Sequence, residues 1–286
     1  MNRRRFVALA GGAAAAALAA DAWLVEPRRV QLTRHQVNAR TSPEQRAVRF
    51  VQITDLHLQE VGRMHRRIAA QVNRIRPHFL VFTGDSVDRP DGLPTFAEFL
   101  GLLDRRTPGY AILGNWEHSA GVDLDGLAAA YRRANVRLLV NETAVHPVEG
   151  RGIAVAGLDD LVGGRPDVGR VLGGLPAADA HLLLAHCPEQ RDRLWMPSQP
   201  KLATLPDPPP VSVPRITLML SGHTHGGQVN LLGWAPMLPR GSGRYVRGWF
   251  RDAGGVPLYV SRGIGTTVVP VRFGSPPEVA VFTMWV

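Results

Sequence analysis

The feature that most limits what this chain can become is a series of short apolar runs, each ending in a polar side chain able to hold a proton or a cation. Val48-Arg49-Phe50-Val51-Gln52-Ile53 leads into Thr54-Asp55-Leu56-His57. Phe79 to Thr83 ends at Gly84-Asp85, Tyr110 to Leu113 at Gly114-Asn115, and Leu182-Leu183-Leu184-Ala185 at His186. Ile216 to Leu220 runs into Ser221-Gly222-His223-Thr224-His225-Gly226-Gly227-Gln228. Short apolar runs bounded by glycine read as buried strands. Asp55 and His57 are two apart, as are His223 and His225, so each pair leaves its strand end on one side.

Between these strands the first half carries helical signals. Met64, Ile68, Val72 and Ile75 recur at helical spacing and stop before Pro77. Pro94 suits a first helical turn ahead of Phe96, Phe99, Leu100 and Leu103, and Asp123 suits an N-cap ahead of Leu124, Leu127 and Tyr131. Strand and helix therefore alternate, which predicts an α/β layer arrangement. Past Asn135 the pattern turns to strands: Val136–Val140, Ile153–Ala156, His181–Ala185, Ile216–Leu220, Pro257–Val260 and Val279–Met284, with a short helix after Pro188. Two packed mixed β-sheets flanked by helices, an α/β (α+β) sandwich, accommodate both halves in one domain over 27–286. Prolines crowd the stretch 196–214 so densely that no strand or helix fits, and it reads as a surface loop.

Residues 1–26 read as an address. Arg3-Arg4-Arg5 precede an uncharged, alanine-rich run from Phe6 to Ala20, and Ala20-Asp21-Ala22 offers a small-x-small cleavage site. The paired arginines before Phe6 resemble a twin-arginine export signal. Export to the periplasm or the outer face of the cytoplasmic membrane is expected, with an uncleaved anchor as the alternative. The single cysteine, Cys187, excludes an intramolecular disulfide and a thiolate metal cluster. The formal charge of +9 comes from 32 arginines and one lysine, scattered rather than massed in a stripe with interleaved aromatics, which argues against nucleic acid. A phosphate-bearing substrate, or peripheral contact with an anionic membrane, fits the charge better. No protein partner is expected apart from export machinery.

Asp55, His57, Asp85, Asn115, His186, His223 and His225 are seven oxygen or imidazole donors, all beyond strand ends. Imidazole with carboxylate and no thiolate suits manganese, iron or zinc. Seven donors exceed the needs of one tetrahedral ion, and a shared carboxylate makes a two-metal centre the economical reading. His35, His65, His78, His146 and His181 read as ordinary structural histidines. There is no Gly-x-Ser-x-Gly elbow, no His-Glu-x-x-His, and Lys201 follows no phosphate-cradling glycine loop.

With these motifs in order, the chain resembles the calcineurin-like metallophosphoesterases. Asp55-Leu-His57, Gly84-Asp85-Ser-Val-Asp88, Gly114-Asn115, His186 and Gly222-His223-Thr-His225 carry the resemblance. The tail Tyr259-Val-Ser-Arg262-Gly-Ile-Gly-Thr266 through Arg272-Phe is similar to the exported bacterial branch. The resemblance implies a four-layer sandwich and two divalent ions, manganese foremost. One ion would take Asp55, His57, Asp85 and His225, and the other Asp85, Asn115, His186 and His223. The activity implied is hydrolysis of a phosphodiester, phosphomonoester or pyrophosphate. Lipid-linked pyrophosphates such as UDP-diacylglucosamine are among the branch's substrates, and Trp195, Trp234 and Trp249 near loops fit a membrane-facing one. Asp88 and Gln228 are candidates to orient histidine ligands, and Arg262 and Arg272 to fork a phosphate.

One departure stands out. The family places a histidine directly after its asparagine, whereas here the order is Asn115-Trp116-Glu117-His118. His118 is the candidate to take over that catalytic role. If nothing does, the chain is a phosphate- or partner-binding module on the same fold.

Overall fold

The computed structural model describes residues 3–195, 216–252 and 255–286. The proline-rich stretch 196–214 lies outside the described residues. Helix α1 (Arg3–Ala20) continues through a π-turn, Asp21–Val25, and a 3-10 turn, Glu26–Arg28. The body then follows: β1 (Gln31–Gln36), β2 (Ala47–Ile53), α2 (Arg63–Ile75), β3 (Phe79–Thr83), α3 (Leu93–Gly101) and β4 (Gly109–Ile112). Next come α4 (Asn115–Ser119), α5 (Leu124–Arg133), β5 (Val136–Leu138), β6 (Glu142–Val148), β7 (Arg151–Gly157), α6 (Val168–Gly173) and β8 (Ala180–Leu184). The remainder is α7 (Gln190–Trp195), β9 (Leu218–Ser221), β10 (Gly248–Phe250), β11 (Leu258–Val260) and β12 (Glu278–Trp285).

The strands form two six-stranded mixed sheets, ordered β1-β12-β2-β3-β4-β5 and β10-β11-β9-β8-β7-β6. Burial divides into layers accordingly. Phe50, Phe79 and Phe282 of the first sheet stack against one another and meet Leu182, Leu184 and Leu220 of the second, forming the core between the sheets. The opposite face of the first sheet, with Val51, Ile53, Leu80 and Phe82, packs on Ile68 and Val72 of α2, Phe96 and Phe99 of α3, and Leu127 and Tyr131 of α5. Beyond the second sheet, Leu183, Met219 and Val260 pack on Val171 and Leu172 of α6. The periodic residues of α2, α3 and α5 thus turn inward apart from Leu124, which is exposed in the first turn of α5, and Asp123 caps that helix by accepting from Gly126 N–H at 3.0 Å. The result is a helix–sheet–sheet–helix sandwich.

β2, β3, β4 and β5 run parallel in one sheet, and β7, β8 and β9 in the other. Parallel strands send all their C-terminal ends to one rim, where open α/β sheets place their ligands. Three strands escape the sequence reading, among them the short edge strand β10 (Gly248–Phe250). The other two are β1, mostly polar, and β6, which carries Pro147; both are also sheet edges, where polar residues and proline are tolerated.

The start of the chain is less detached than its reading as a leader suggests. By length and composition Arg3–Arg28 could cross a membrane, and the 18 residues of α1 rise about 27 Å, close to a bilayer's hydrocarbon thickness. Yet Ala22 and Glu26 are buried in the body. The Ala22 carbonyl accepts from Arg272 N–H at 3.0 Å, and the Glu26 carboxylate accepts from the N–H groups of Gly274 (3.0 Å) and Ser275 (2.6 Å).

Candidate metal centre

The seven donors meet on the rim. Asp55, His57 and His225 form one buried triad with ligand atoms within 4.8 Å of one another, and Asp85, His186 and His223 form another. Asp85 lies between them: its Oδ2 is 3.6 Å from His57 Nε2 and 3.1 Å from His186 Nε2. Asn115 joins the second triad, its Oδ1 3.2 Å from His186 Nε2.

Local backbone geometry aims these groups. Asp55, His57, Asp85, His223 and His225 all have positive φ, between 42° and 72°, a strained region for non-glycine residues that persists only where surrounding structure enforces it. Gly84 and Gly222 supply the close approach. A Cβ on Gly84 would stand 2.6 Å from His186 Nδ1, and one on Gly222 would stand 2.2 Å from Thr54 Oγ1. Three of the apolar runs lead into a glycine, Gly84, Gly114 and Gly222, because there a neighbouring segment passes too close for a side chain.

The protons are assigned by fixed acceptors. His186 Nδ1 donates to the Thr83 carbonyl at 2.7 Å, and His223 Nε2 donates to the Arg240 carbonyl at 2.8 Å. The remaining nitrogens, His186 Nε2 and His223 Nδ1, therefore face each other at 3.1 Å with Asp85 Oδ2 and Asn115 Oδ1 beside them. In the other triad, His57 Nε2 and His225 Nε2 are also 3.1 Å apart, and Asp55 Oδ2 is buried without any partner. Buried acceptors do not converge without a proton or a cation between them.

Charge tells the same story. Burial pushes the Asp55 carboxyl up, and Asp85 adds to the rise. Burial would raise Asp85 too, but the adjacent His186 outweighs it and holds this carboxyl well below the usual carboxylate range. Burial opposes the His186 proton, yet Asp85 reverses that and raises the ring. Burial and then His186 push His223 down to about 4, while burial, His57 and Arg272 push His225 well below the usual histidine value. Imidazole nitrogens and carboxylate oxygens converging in one dry pocket are the donor set a divalent cation takes once their protons leave, so these residues fit two metal ions.

The supporting residues divide. Asp88 Oδ2 stands 3.6 Å from His57 Nδ1, placed to orient that ring. Gln228 does not touch a histidine side chain. Its Nε2 donates to the Thr267 and Val269 carbonyls and its Oε1 accepts from Thr267 N–H, because its positive φ turns the side chain towards that loop. Arg272 is no phosphate fork: it is fully buried and donates to the carbonyls of Gly265, Ser275 and Arg262, with one nitrogen 3.3 Å from His225 Nδ1. Arg262 is also committed, to Glu278 at 3.4 Å and Gln31 at 3.1 Å. Cys187 is buried and donates to Asp160. His118 sits on α4 one turn past Asn115, outside both triads, its Nε2 2.7 Å from Asp159 Oδ1. Trp116 presents an edge to the His57 ring, with centroids 5.9 Å apart.

Glu117 escapes the sequence reading. This buried carboxylate accepts from the N–H groups of Gly114 (2.8 Å), Asp85 (3.0 Å), Ser86 (2.6 Å) and Val87 (3.3 Å). The available signal was its place three residues past Gly114, the spacing of a capping box.

A family profile described as calcineurin-like phosphoesterase matches residues 48–227. This chain belongs to the calcineurin-like phosphoesterase family. The metallophosphoesterase YkuE of Bacillus subtilis is 30% identical over 304 residues, covering 99% of this phosphoesterase and 98% of its relative. The phosphodiesterase YaeI of Escherichia coli is 26% identical over 305 residues, covering 99% of each. Among solved structures, the NAD nucleotidase of Haemophilus influenzae superposes with a TM-score of 0.47 at 13% identity, over 77% of this chain and 46% of that one. Family and site agree on a metal-dependent phosphoesterase, a hydrolase with a dinuclear centre.

Proposed function

We propose that this hydrolase cleaves a phosphodiester at the outer face of the cytoplasmic membrane, with manganese as its metal and a membrane-borne, lipid-linked compound as its substrate. The observation that carries the hydrolytic reading is the Asp85 carboxylate, held between the imidazoles of the two triads. Bound there, two divalent ions would supply Lewis acidity and lower the pKa of a water towards neutrality. The chain's own part is to fix the donors. Glu117 locks the Asp85 turn, the Thr83 and Arg240 carbonyls fix two ring tautomers, and Asp88 faces a third ring.

His118 is the group we assign to protonate the leaving oxygen. Its partner Asp159 favours the charged ring: the hydrogen bond outweighs burial and raises His118 above the usual histidine value. It is partly exposed and on the helix that carries Asn115. Phosphodiester chemistry is supported by the similarity to the phosphodiesterase YaeI of Escherichia coli over nearly the whole of both chains. The imidazole–carboxylate set suits manganese, with iron and zinc as competitors.

Membrane attachment through α1 after twin-arginine export is supported by Ala22 and Glu26. The carbonyl of the candidate cleavage site is engaged by Arg272, so a folded protein keeps this peptide out of an extended conformation. Leu232 and Val268 are almost wholly exposed on loops joined through Gln228, next to the strand of chain that Glu26 grips. Exposed apolar tips beside a spanning helix suit contact with a bilayer.

The test is turnover of bis-p-nitrophenyl phosphate against p-nitrophenyl phosphate by full-length protein, with manganese added and then chelated. Diester turnover that exceeds monoester turnover and disappears on chelation is expected. Turnover of the monoester alone would overturn the diester assignment.

A further inference from the structure

The root of the N-terminal helix does not simply leave the body; it runs beside α2 and leaves a cavity of about 580 Å³ between them. Leu24, Val25, Arg28 and Arg29 line one side, and Arg63 and Arg67 the other. Arg63 and Arg67 are one helical turn apart, so both side chains rise from the same face of α2. Among the described residues, Arg29, Arg63 and Arg67 form no salt bridge and no side-chain hydrogen bond, and the Arg28 side chain donates to the Leu24 carbonyl. Four exposed guanidinium groups around one cavity give it a positive field that favours an anion.

The composition of the walls narrows that anion. Leu24 and Val25 are half exposed and continue the apolar surface of the candidate spanning helix directly into the cavity. Guanidinium forks match phosphate oxygens bidentately, while the two apolar side chains offer nothing to a free phosphate. A neighbouring groove that shares Gln71 adds Arg34, Arg49 and Arg74 to the same face, extending the positive field away from the helix. The size falls within the usual range of about 300–1,000 Å³ for small-ligand sites.

We propose that this cavity is a lipid site, binding the phosphate of an anionic glycerophospholipid drawn from the bilayer around α1, with an acyl chain lying along Leu24 and Val25. The bound lipid fills the gap between the helix root and α2 and so fixes how the body stands on the membrane. The proposal rests on the reading that α1 is retained, and no catalytic group takes part in it.

The experiment is native mass spectrometry of the full-length protein released in detergent from nanodiscs containing equal phosphatidylglycerol and phosphatidylcholine. One phosphatidylglycerol per chain is expected to survive release. In Arg63→Gln/Arg67→Gln its occupancy should fall at least about tenfold, because two charge-assisted bonds are lost. The control pair Arg132→Gln/Arg133→Gln on α5 should retain it, and all three proteins should turn over bis-p-nitrophenyl phosphate equally, which verifies folding. Equal retention of phosphatidylcholine, retention by the Arg63/Arg67 variant, or displacement of the lipid by glycerol 1-phosphate at equal concentration would each overturn the site. The same spectra separate this from failure of the anchor: a chain lacking residues 1–22 shows in the protein mass itself.

Discussion

Glu117 accepts a hydrogen bond from the backbone N–H of Asp85 at 3.0 Å, so the turn that aims the shared carboxylate is held by a different helix. The same side chain satisfies three further N–H groups, those of Gly114, Ser86 and Val87. One carboxylate thus ties the ends of β3 and β4 together beneath the metal centre.

Glu117→Ala leaves these buried donors without an acceptor, at about 1–3 kcal/mol for each one that water cannot reach. A stability loss of several kcal/mol is expected in urea unfolding of the metal-free protein. Glu117→Gln keeps one acceptor oxygen and should recover part of it. Equal stability of wild type and both variants would mean that the turn holds itself.

Asp85→Asn removes the charge that both triads face. Bound manganese should drop from about two ions per chain to less than one, and turnover by at least ~10²-fold, as when one preorganised electrostatic group is removed. Elemental analysis beside a rate measurement checks both. Unchanged metal content with full activity would sink the dinuclear centre.

Arg272 and Gln228 mark where sequence stops informing on the site. An arginine that forks a phosphate and one that collects three backbone carbonyls are the same letter, and only the path of the chain between Gly265 and Ser275 distinguishes them. The seven donors were legible because they follow apolar runs, most of them ending in a glycine or threonine, a pattern the parallel sheets impose. Strand β6 was not legible, since its inward positions are Ala144, His146 and Val148 with Pro147 between. The Glu26 clasp was hidden because its partners are backbone amides some 250 residues away, which no periodicity reports.

Arg272→Leu therefore acts on folding rather than on phosphate affinity. It strips the carbonyls of Gly265, Ser275 and Arg262 of their donors, so a loss of roughly 3 kcal/mol or more is expected. Thermal unfolding should show the loss while KM for the diester in the folded fraction stays within about threefold, well under what one charged contact to substrate contributes. A large rise in KM without loss of stability would restore the phosphate-binding role.

The pairing of His118 with Asp159 has consequences for both rate and stability. Because Asp159 raises the ring above its unfolded value of 6.5, the proton stays on His118 as pH rises past 6.5 and leaves only at the higher folded value. The associated stability is fully present below pH 6.5 and declines as pH climbs through the folded value. A leaving alkoxide needs that proton, whereas p-nitrophenolate leaves readily without it. His118→Ala is thus expected to slow alkyl diesters by ~10²–10⁴ and bis-p-nitrophenyl phosphate by less than tenfold. The wild-type alkyl rate should fall on the alkaline side, with that limb absent from the variant. Asp159→Asn should move the limb to lower pH, since it removes the acceptor that holds the charged ring. Loss of less than tenfold on both substrate classes, with the alkaline limb intact in His118→Ala, would assign the proton to another donor.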